Sequence, residues 1–158
     1  MSVLVQPSQF NAISRELTTG IRVDRATAAL PQTTAEDIFT IASGRVLVVG
    51  LVGEVTTVIQ TQANNTKLVS NPTATGASQD LCAVLDITAD PVGELYTISG
   101  TVADAMRSDL LIGIPYLANP LILSEGAIEL NCAASSTGSV AWSIIYVPWD
   151  ADATVTAA

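Results

Sequence analysis

The chain has 158 residues, of which 49 % are apolar and only 13 % charged. It contains no histidine, a single lysine (Lys67) and two cysteines, and its formal net charge is −9. That length suits one domain able to bury roughly two thirds of its unfolded surface. The apolar content excludes a disordered chain, and the missing imidazole excludes Ser–His and Cys–His nucleophilic catalysis. Such a chain is rich in packing surface and poor in reactive groups, and a structural or assembly protein without enzymatic activity is expected.

Residues 1–50 balance Arg15, Arg22, Arg25 and Arg45 against Glu16, Asp24, Glu36 and Asp37; the remainder sets Lys67 and Arg107 against eleven acids. A body this acidic repels phosphate backbones, so no direct nucleic-acid partner is expected. Two readings of the asymmetry stay open. The acids either keep an apolar protein soluble, or leave the near-neutral N-terminal segment to dock on something the body avoids. Cys82 and Cys132 sit inside apolar segments and read as free, buried thiols behaving as small hydrophobes. With no CxxC and no histidine, neither a zinc site nor a cofactor is expected. Residues 1–5 are too short for a signal-peptide core and lack a basic flank. No apolar run reaches the ~18 residues of a spanning helix. A soluble protein made inside the cell, with no membrane partner, is the expectation.

In chain order, residues 8–18 read as a short amphipathic helix. Pro7 and Ser8 are start signals, Phe10, Ile13 and Leu17 recur at helical spacing, and Gly20 is the stop. Such a length is marginal as a free helix in water, so it needs a surface, its own body's or a neighbour's. The small-residue and Thr-rich residues 26–35 read as a linker. Residues 1–28 are therefore taken as an N-terminal arm and 29–158 as the body.

Strand signals then dominate. Residues 37–43 are rich in Ile, Phe and Thr, and residues 45–59 are Val-rich, with Gly50 and Gly53 as bend or bulge points. Asn64-Asn65 is a turn before a strand over 67–70, and 71–78 is a loop. Residues 81–88 alternate as one strand, Asp90-Pro91-Val92-Gly93 is a turn, and 95–99 is the next strand. Residues 101–112 are ambiguous: Thr101 with Asp104 three positions on fits a capping box opening a short helix. Residues 110–115 then read as a loop with apolar anchors. Strands over 120–123, 127–133 and 140–147 follow, Pro148 ends the last, and a small-residue tail starts at Trp149. An all-β fold is expected, an antiparallel β-sandwich or jelly roll of eight or nine strands behind an arm carrying a short helix.

Few constellations carry chemistry. A Ser–Lys arrangement would rest on Lys67 alone, which follows a turn and reads as solvated. Asp86, Asp90 and Glu94 cluster around one turn as either a carboxylate pair, a calcium loop or a solvated turn. The seven aromatic residues are few for a glycosidase, and Pro91 interrupts any EF-hand spacing. Asp150-Ala-Asp152 reads as solvated, residues 44–53 lack the Lys and helix of a phosphate loop, and Asn64-Asn65-Thr66 matches a glycosylation acceptor by chance. No catalytic, metal or cofactor residue emerges.

Several stretches resemble the capsid decoration, or cement, proteins of tailed bacteriophages. They are Ala29-Leu-Pro-Gln-Thr-Thr-Ala35, Gly44-Arg-Val-Leu-Val48 with Gly53-Glu-Val-Thr-Thr57, Ile59-Gln-Thr-Gln-Ala63, Asp80-Leu-Cys-Ala83, and Gly138-Ser-Val-Ala-Trp142 with Tyr146-Val-Pro148. They are scattered over residues 29–148 and leave 1–28 outside. The resemblance implies a homotrimeric β-sandwich or jelly roll on the outer capsid surface of the virion, made in the host cytoplasm. It would bind the major capsid protein and clamp neighbouring capsomers. On this reading Phe10, Ile13 and Leu17 anchor the arm, while Arg15, Arg22 and Arg25 pair with acidic capsid surface. The alternative is that these residues fold back on their own sandwich. Two other classes remain: a head-fibre or tail protein that binds the host surface, and a tail-tube or connector subunit forming hexameric rings.

Overall fold

The computed structural model describes residues 19–74 and 76–158. The expected helix over 8–18, with Phe10, Ile13, Arg15 and Leu17, lies outside the described residues. Those described form an all-β fold of two antiparallel sheets. The strands are β1 (Ile21–Ala29), β2 (Ala35–Ala42), β3 (Val46–Thr57), β4 (Asn65–Pro72), β5 (Gln79–Asp80), β6 (Leu85–Asp86), β7 (Glu94–Thr97), β8 (Arg107–Leu110), β9 (Leu121–Leu123), β10 (Gly126–Cys132), β11 (Ser139–Pro148) and β12 (Thr154–Ala157). The first sheet runs β1-β11-β3-β7-β8, with β9 also on β3; the second runs β12-β2-β10-β4-β5, with β6 also on β4.

Period-two alternation builds the layers. On β11, Val140, Trp142, Ile144 and Tyr146 are buried, and the residues between them are less so. On β10, Ile128, Leu130 and Cys132 do the same. Both sheets feed one core: Val48, Leu51, Val55 and Tyr96 from the first, and Phe39, Ile41 and Leu68 from the second. Gly53 makes room for the Trp142 indole, because a β-carbon there would lie 2.8 Å from the ring. Tyr96 stacks on the same indole, with ring centroids 6.4 Å apart. Gly50 sits at a register shift: Ile145 pairs with Gly50 but Tyr146 with Val48, so Val49 is the extra residue of a bulge.

Four expectations need correction. Residues 26–35 are strand as far as Ala29, since β1 runs antiparallel to β11 from Ile21↔Tyr146 to Ala29↔Ser139. The body's first sheet therefore begins at Ile21. Small and polar residues suffice there because β1 is an edge strand with one solvated side. Residues 81–88 are not one strand. The chain leaves β4 after Asp80, which pairs with Val69, and returns only at Leu85, which pairs with Thr66; in between Ala83 bridges to Ala105 instead. Residues 101–112 contain no helix. The Thr101 amide donates to the Ser99 hydroxyl, and the Asp104 carboxylate accepts from that same Ser99, so the capping groups serve a turn that leads into β8. The tail is the strand β12 on β2, held by buried Ala153 and Val155.

Candidate functional site

The outer faces of the two sheets differ in chemistry. Across the second sheet one cross-strand row reads Thr156, Thr40, Ala127, Asn71, and the next reads Asp37, Glu129, Val69, Asp80. Asn71 donates to Glu129, and Lys67, which reads as solvated in the sequence, pairs with Asp80 at 2.7 Å. The first sheet carries instead the row Val147, Leu47, Ile122 on β11, β3 and β9. Val147 and Ile122 are exposed, and so is Trp149 just past β11.

The β8–β9 connection crosses this apolar face and is held to it at several points. The Leu111 amide donates to the Gly93 carbonyl at 3.0 Å, the Leu117 amide to Val49 at 2.8 Å, and the Asn119 amide to Ser99 at 3.0 Å. The Asn119 side chain donates to Thr101. Gly113 lies against Leu95, and the Pro115 carbonyl passes over Gly50. Leu117 is the buried plug of the connection. What remains is presented to solvent: Leu111 is 75 % and Ile112 72 % exposed, with Ile114, Tyr116 and Leu110 exposed beside them. Leu111 also has φ of +59°, a left-handed conformation disfavoured for a branched side chain. Surface hydrophobes scattered singly need no explanation, whereas a contiguous run on a pinned loop marks an interaction surface. From the sequence alone this run is a loop with apolar anchors and nothing more. Its signal is the density of Leu and Ile in a segment punctuated by Gly113 and Pro115.

Between that loop and β1 lies an open groove of about 480 Å³, bordered by Arg22, Asp24, Glu54, Ser143, Pro115 and Ile145. Arg22, expected to meet a partner, donates to Asp24 at 2.7 Å and to Ser143 at 3.2 Å. The Ser143 hydroxyl, more than the guanidinium, holds the Asp24 carboxyl below its usual range. Arg25, also expected to meet a partner, donates to the Ala158 and Asp37 carbonyls and so ties β1 to the second sheet. The structure thus gives the two arginines separate, intramolecular partners.

The carboxylates of the 86–94 turn are each occupied by a different donor. Asp86 accepts from the Thr88 hydroxyl at 2.6 Å and from the Asn64 amide at 2.8 Å, which together keep its carboxyl low. Asp90 accepts the Tyr96 hydroxyl at 2.6 Å, and Glu94 accepts the Ser108 hydroxyl. Among the described residues no group of three His, Cys, Asp or Glu side chains could hold a metal ion. Asp150 forms a two-point pair with Arg45, which lowers its carboxyl to about 2. Cys82 and Cys132 are free and buried, and burial pushes both thiols up. Asn64, the first residue of the apparent glycosylation acceptor, is fully buried.

An apolar loop held by backbone hydrogen bonds thus lies beside an apolar strand row on one face of the first sheet. Comparison of the chain with models of known protein families, with curated proteins and with solved structures finds no match.

Proposed function

We propose that this protein is a structural virion component without catalytic activity, a decoration protein that binds the outside of a tailed-phage capsid and clamps neighbouring capsomers. The reading begins from the resemblance over residues 29–148. The observation that carries it is the exposed loop Leu110, Leu111, Ile112, Ile114 and Tyr116, held against the first sheet rather than free to collapse.

The strand order adds support. β1-β11-β3-β7 in one sheet and β2-β10-β4-β5 in the other is the order expected of an eight-stranded jelly roll with two Greek keys, an architecture used by viral capsid and lectin domains. We read the fold as a jelly roll extended at its edges by the short strands. On this proposal the body assembles as a homotrimer on the major capsid protein. Three apolar loops then engage the shell together, and contacts that are weak singly hold collectively through effective concentration.

The test is to mix purified heads lacking the protein with the recombinant chain, separate bound from free on a gradient, and map the particles at low resolution. Density on the outer shell, with gain of resistance to heat or osmotic shock, is the expected result. Density on a tail or fibre assigns the host-surface reading. A hexameric mass with density in the tail assigns the tube or connector reading, and no association with any particle ends the proposal.

A further inference from the structure

The first sheet ends at β8, and among the described residues nothing pairs with the outer side of this strand beyond the bridge from Ala83 to Ala105. We infer that the edge at Arg107–Asp109 is a self-recognition surface. It pairs antiparallel with β8 of a second copy of this chain, Ser108 opposite Ser108 across a two-fold axis. The inference rests on the edge and its charges and does not depend on the capsid reading.

Alternation fixes which main-chain groups are free. The Leu111 amide donates to Gly93 at 3.0 Å, on the β7 side, and the Met106 amide donates to Ala83 at 3.2 Å, on the other. Successive residues of a strand turn N–H and C=O to opposite sides. Arg107 and Asp109 therefore bond to β7, while Ser108 and Leu110 turn theirs outward. The Arg107 and Asp109 side chains share the outer face, opposite Thr97 and Leu95 on β7, and both residues are exposed. Among the described residues neither side chain has a hydrogen-bonded or ion-paired partner, whereas Arg22, Arg25, Arg45 and Lys67 all do.

Charge selects both the occupant and its register. Centred on Ser108, the two-fold sets Arg107 opposite the second copy's Asp109, and Asp109 opposite its Arg107. These are non-hydrogen-bonded positions, where Cα atoms lie about 4.5 Å apart and side chains meet closely. Opposite charges stabilise such a pair and like charges oppose it. The register centred on Asp109 faces carboxylate with carboxylate and is rejected. In the favoured register the two Ser108 residues exchange both of their main-chain hydrogen bonds. Leu110 then comes opposite the second copy's Met106, beside the exposed Val84 that follows Ala83, so apolar surface is covered at each end of the short ladder. The other edge, β1, offers no such match, since Arg22 pairs with Asp24 and Arg25 with carbonyls of the chain's own body. A two-fold contact adds to the proposed trimer without replacing it, by joining trimers in pairs.

The test is sedimentation equilibrium of the full chain and of two single variants, Arg107→Asp and Asp109→Arg, at ~0.15 M salt, where the Debye length is about 8 Å. The parent should associate reversibly by a doubling step, monomer to dimer or trimer to hexamer. Each variant should weaken that step at least about tenfold. Arg107→Asp makes the chain more acidic and Asp109→Arg less, so a general charge effect moves the two in opposite directions and overturns the inference. An equimolar mixture of the two variants should recover the parent's association, because each chain then faces the charges opposite to its own. The double variant, Arg107→Asp with Asp109→Arg, should recover it alone. Both sites are exposed and should leave the fold intact, and recovery is read on chains that carry the same substitutions. Recovery by neither the mixture nor the double variant overturns the inference. So does a parent whose mass is constant between ~1 µM and ~1 mM.

Discussion

Gly50 lies directly beneath Pro115, and a β-carbon on Gly50 would sit 2.2 Å from the Pro115 carbonyl oxygen. Backbone cannot yield as the end of a side chain can, so Gly50→Ala must lift the loop from the sheet. The expected cost is about 1–3 kcal/mol, the range for overpacked sites, read as a lower midpoint in thermal or urea unfolding. Head binding should fall with it, because the loop that presents Ile112 and Ile114 is the part displaced. Gly53→Ala presses instead on the Trp142 ring inside the core. It should destabilise by a similar amount, while binding by the remaining folded fraction stays unchanged. Equal loss of binding per folded molecule in both variants would separate the loop from the docking function.

Stability and docking should also part company at the loop tip. Leu111, Ile112 and Ile114 are largely exposed, so replacing all three by Ser removes little buried area and should shift unfolding by less than about 0.5 kcal/mol per site. Leu111→Gly relieves a left-handed backbone, which offsets the entropy that glycine adds to the unfolded chain, so its midpoint should stay near the parent's. Binding to heads should nevertheless weaken at least tenfold in the triple variant, about 1.4 kcal/mol. Full occupancy by the triple variant at the parent's concentration rules out this loop as the contact.

Much of the fold is legible in the sequence because single strands carry unambiguous alternation. Val140, Trp142, Ile144 and Tyr146 declare the buried side of β11, and the glycines at 50 and 53 mark the bulge and the bed of the indole. The segments that mislead are those where tertiary context outweighs local pattern. β1 resembles a linker because an edge strand needs little hydrophobicity, and β12 resembles a tail because Val155 is its single large buried side chain. The alternation of 81–88 reads as one strand because nothing local shows that Ala83 is drawn off β4 to bridge with Ala105. The site is half legible. The apolar run at 110–116 is plain in the sequence, but whether it faces the core or the solvent depends on how the β8–β9 connection crosses the first sheet.

Asn64 illustrates the same limit, for a residue that reads as turn punctuation is a buried junction. Its side-chain oxygen accepts the Ala134 amide at 3.1 Å, and its side-chain nitrogen donates to the Ser136 hydroxyl at 3.3 Å. Its own amide donates to Asp86, and its carbonyl accepts the Ile87 amide at 3.2 Å. Asn64→Ala leaves the first two groups without their partner, each at about 1–3 kcal/mol, so a loss of about 2–6 kcal/mol in urea unfolding is expected. Asn64→Asp keeps the acceptor but adds a buried charge facing Ser136, and should be at least as damaging near neutral pH. A midpoint within error of the parent for Asn64→Ala contradicts the junction.

The bond between the Tyr96 hydroxyl and Asp90 yields a pH dependence with a definite sign. Burial raises the Asp90 carboxyl, the Tyr96 hydroxyl pulls it back, and the negative charges of Glu94 and Asp86 raise it further; the net shift is upward. Burial and the neighbouring Asp90 carboxylate hold the Tyr96 phenol well above its usual range, so it remains a donor throughout. A carboxyl whose folded pKa exceeds its unfolded value of about 3.9 binds its proton more tightly in the native state. Its contribution is therefore full below about pH 3.9 and is lost as pH rises through the raised value, leaving an ionised carboxylate that the fold disfavours at neutral pH. Asp90→Asn retains an acceptor oxygen for Tyr96 without the charge, so near neutral pH it should match or exceed the parent, and the difference should shrink as the pH falls towards about 3.9. Asp90→Ala strands the phenol hydroxyl of a buried tyrosine and should cost about 1–3 kcal/mol at every pH. Urea unfolding of the three proteins near neutral pH and near pH ~4 checks both statements. If the Asn variant falls as far as the Ala variant at neutral pH, the carboxylate charge is stabilising the Tyr96 contact and the pH dependence runs the opposite way.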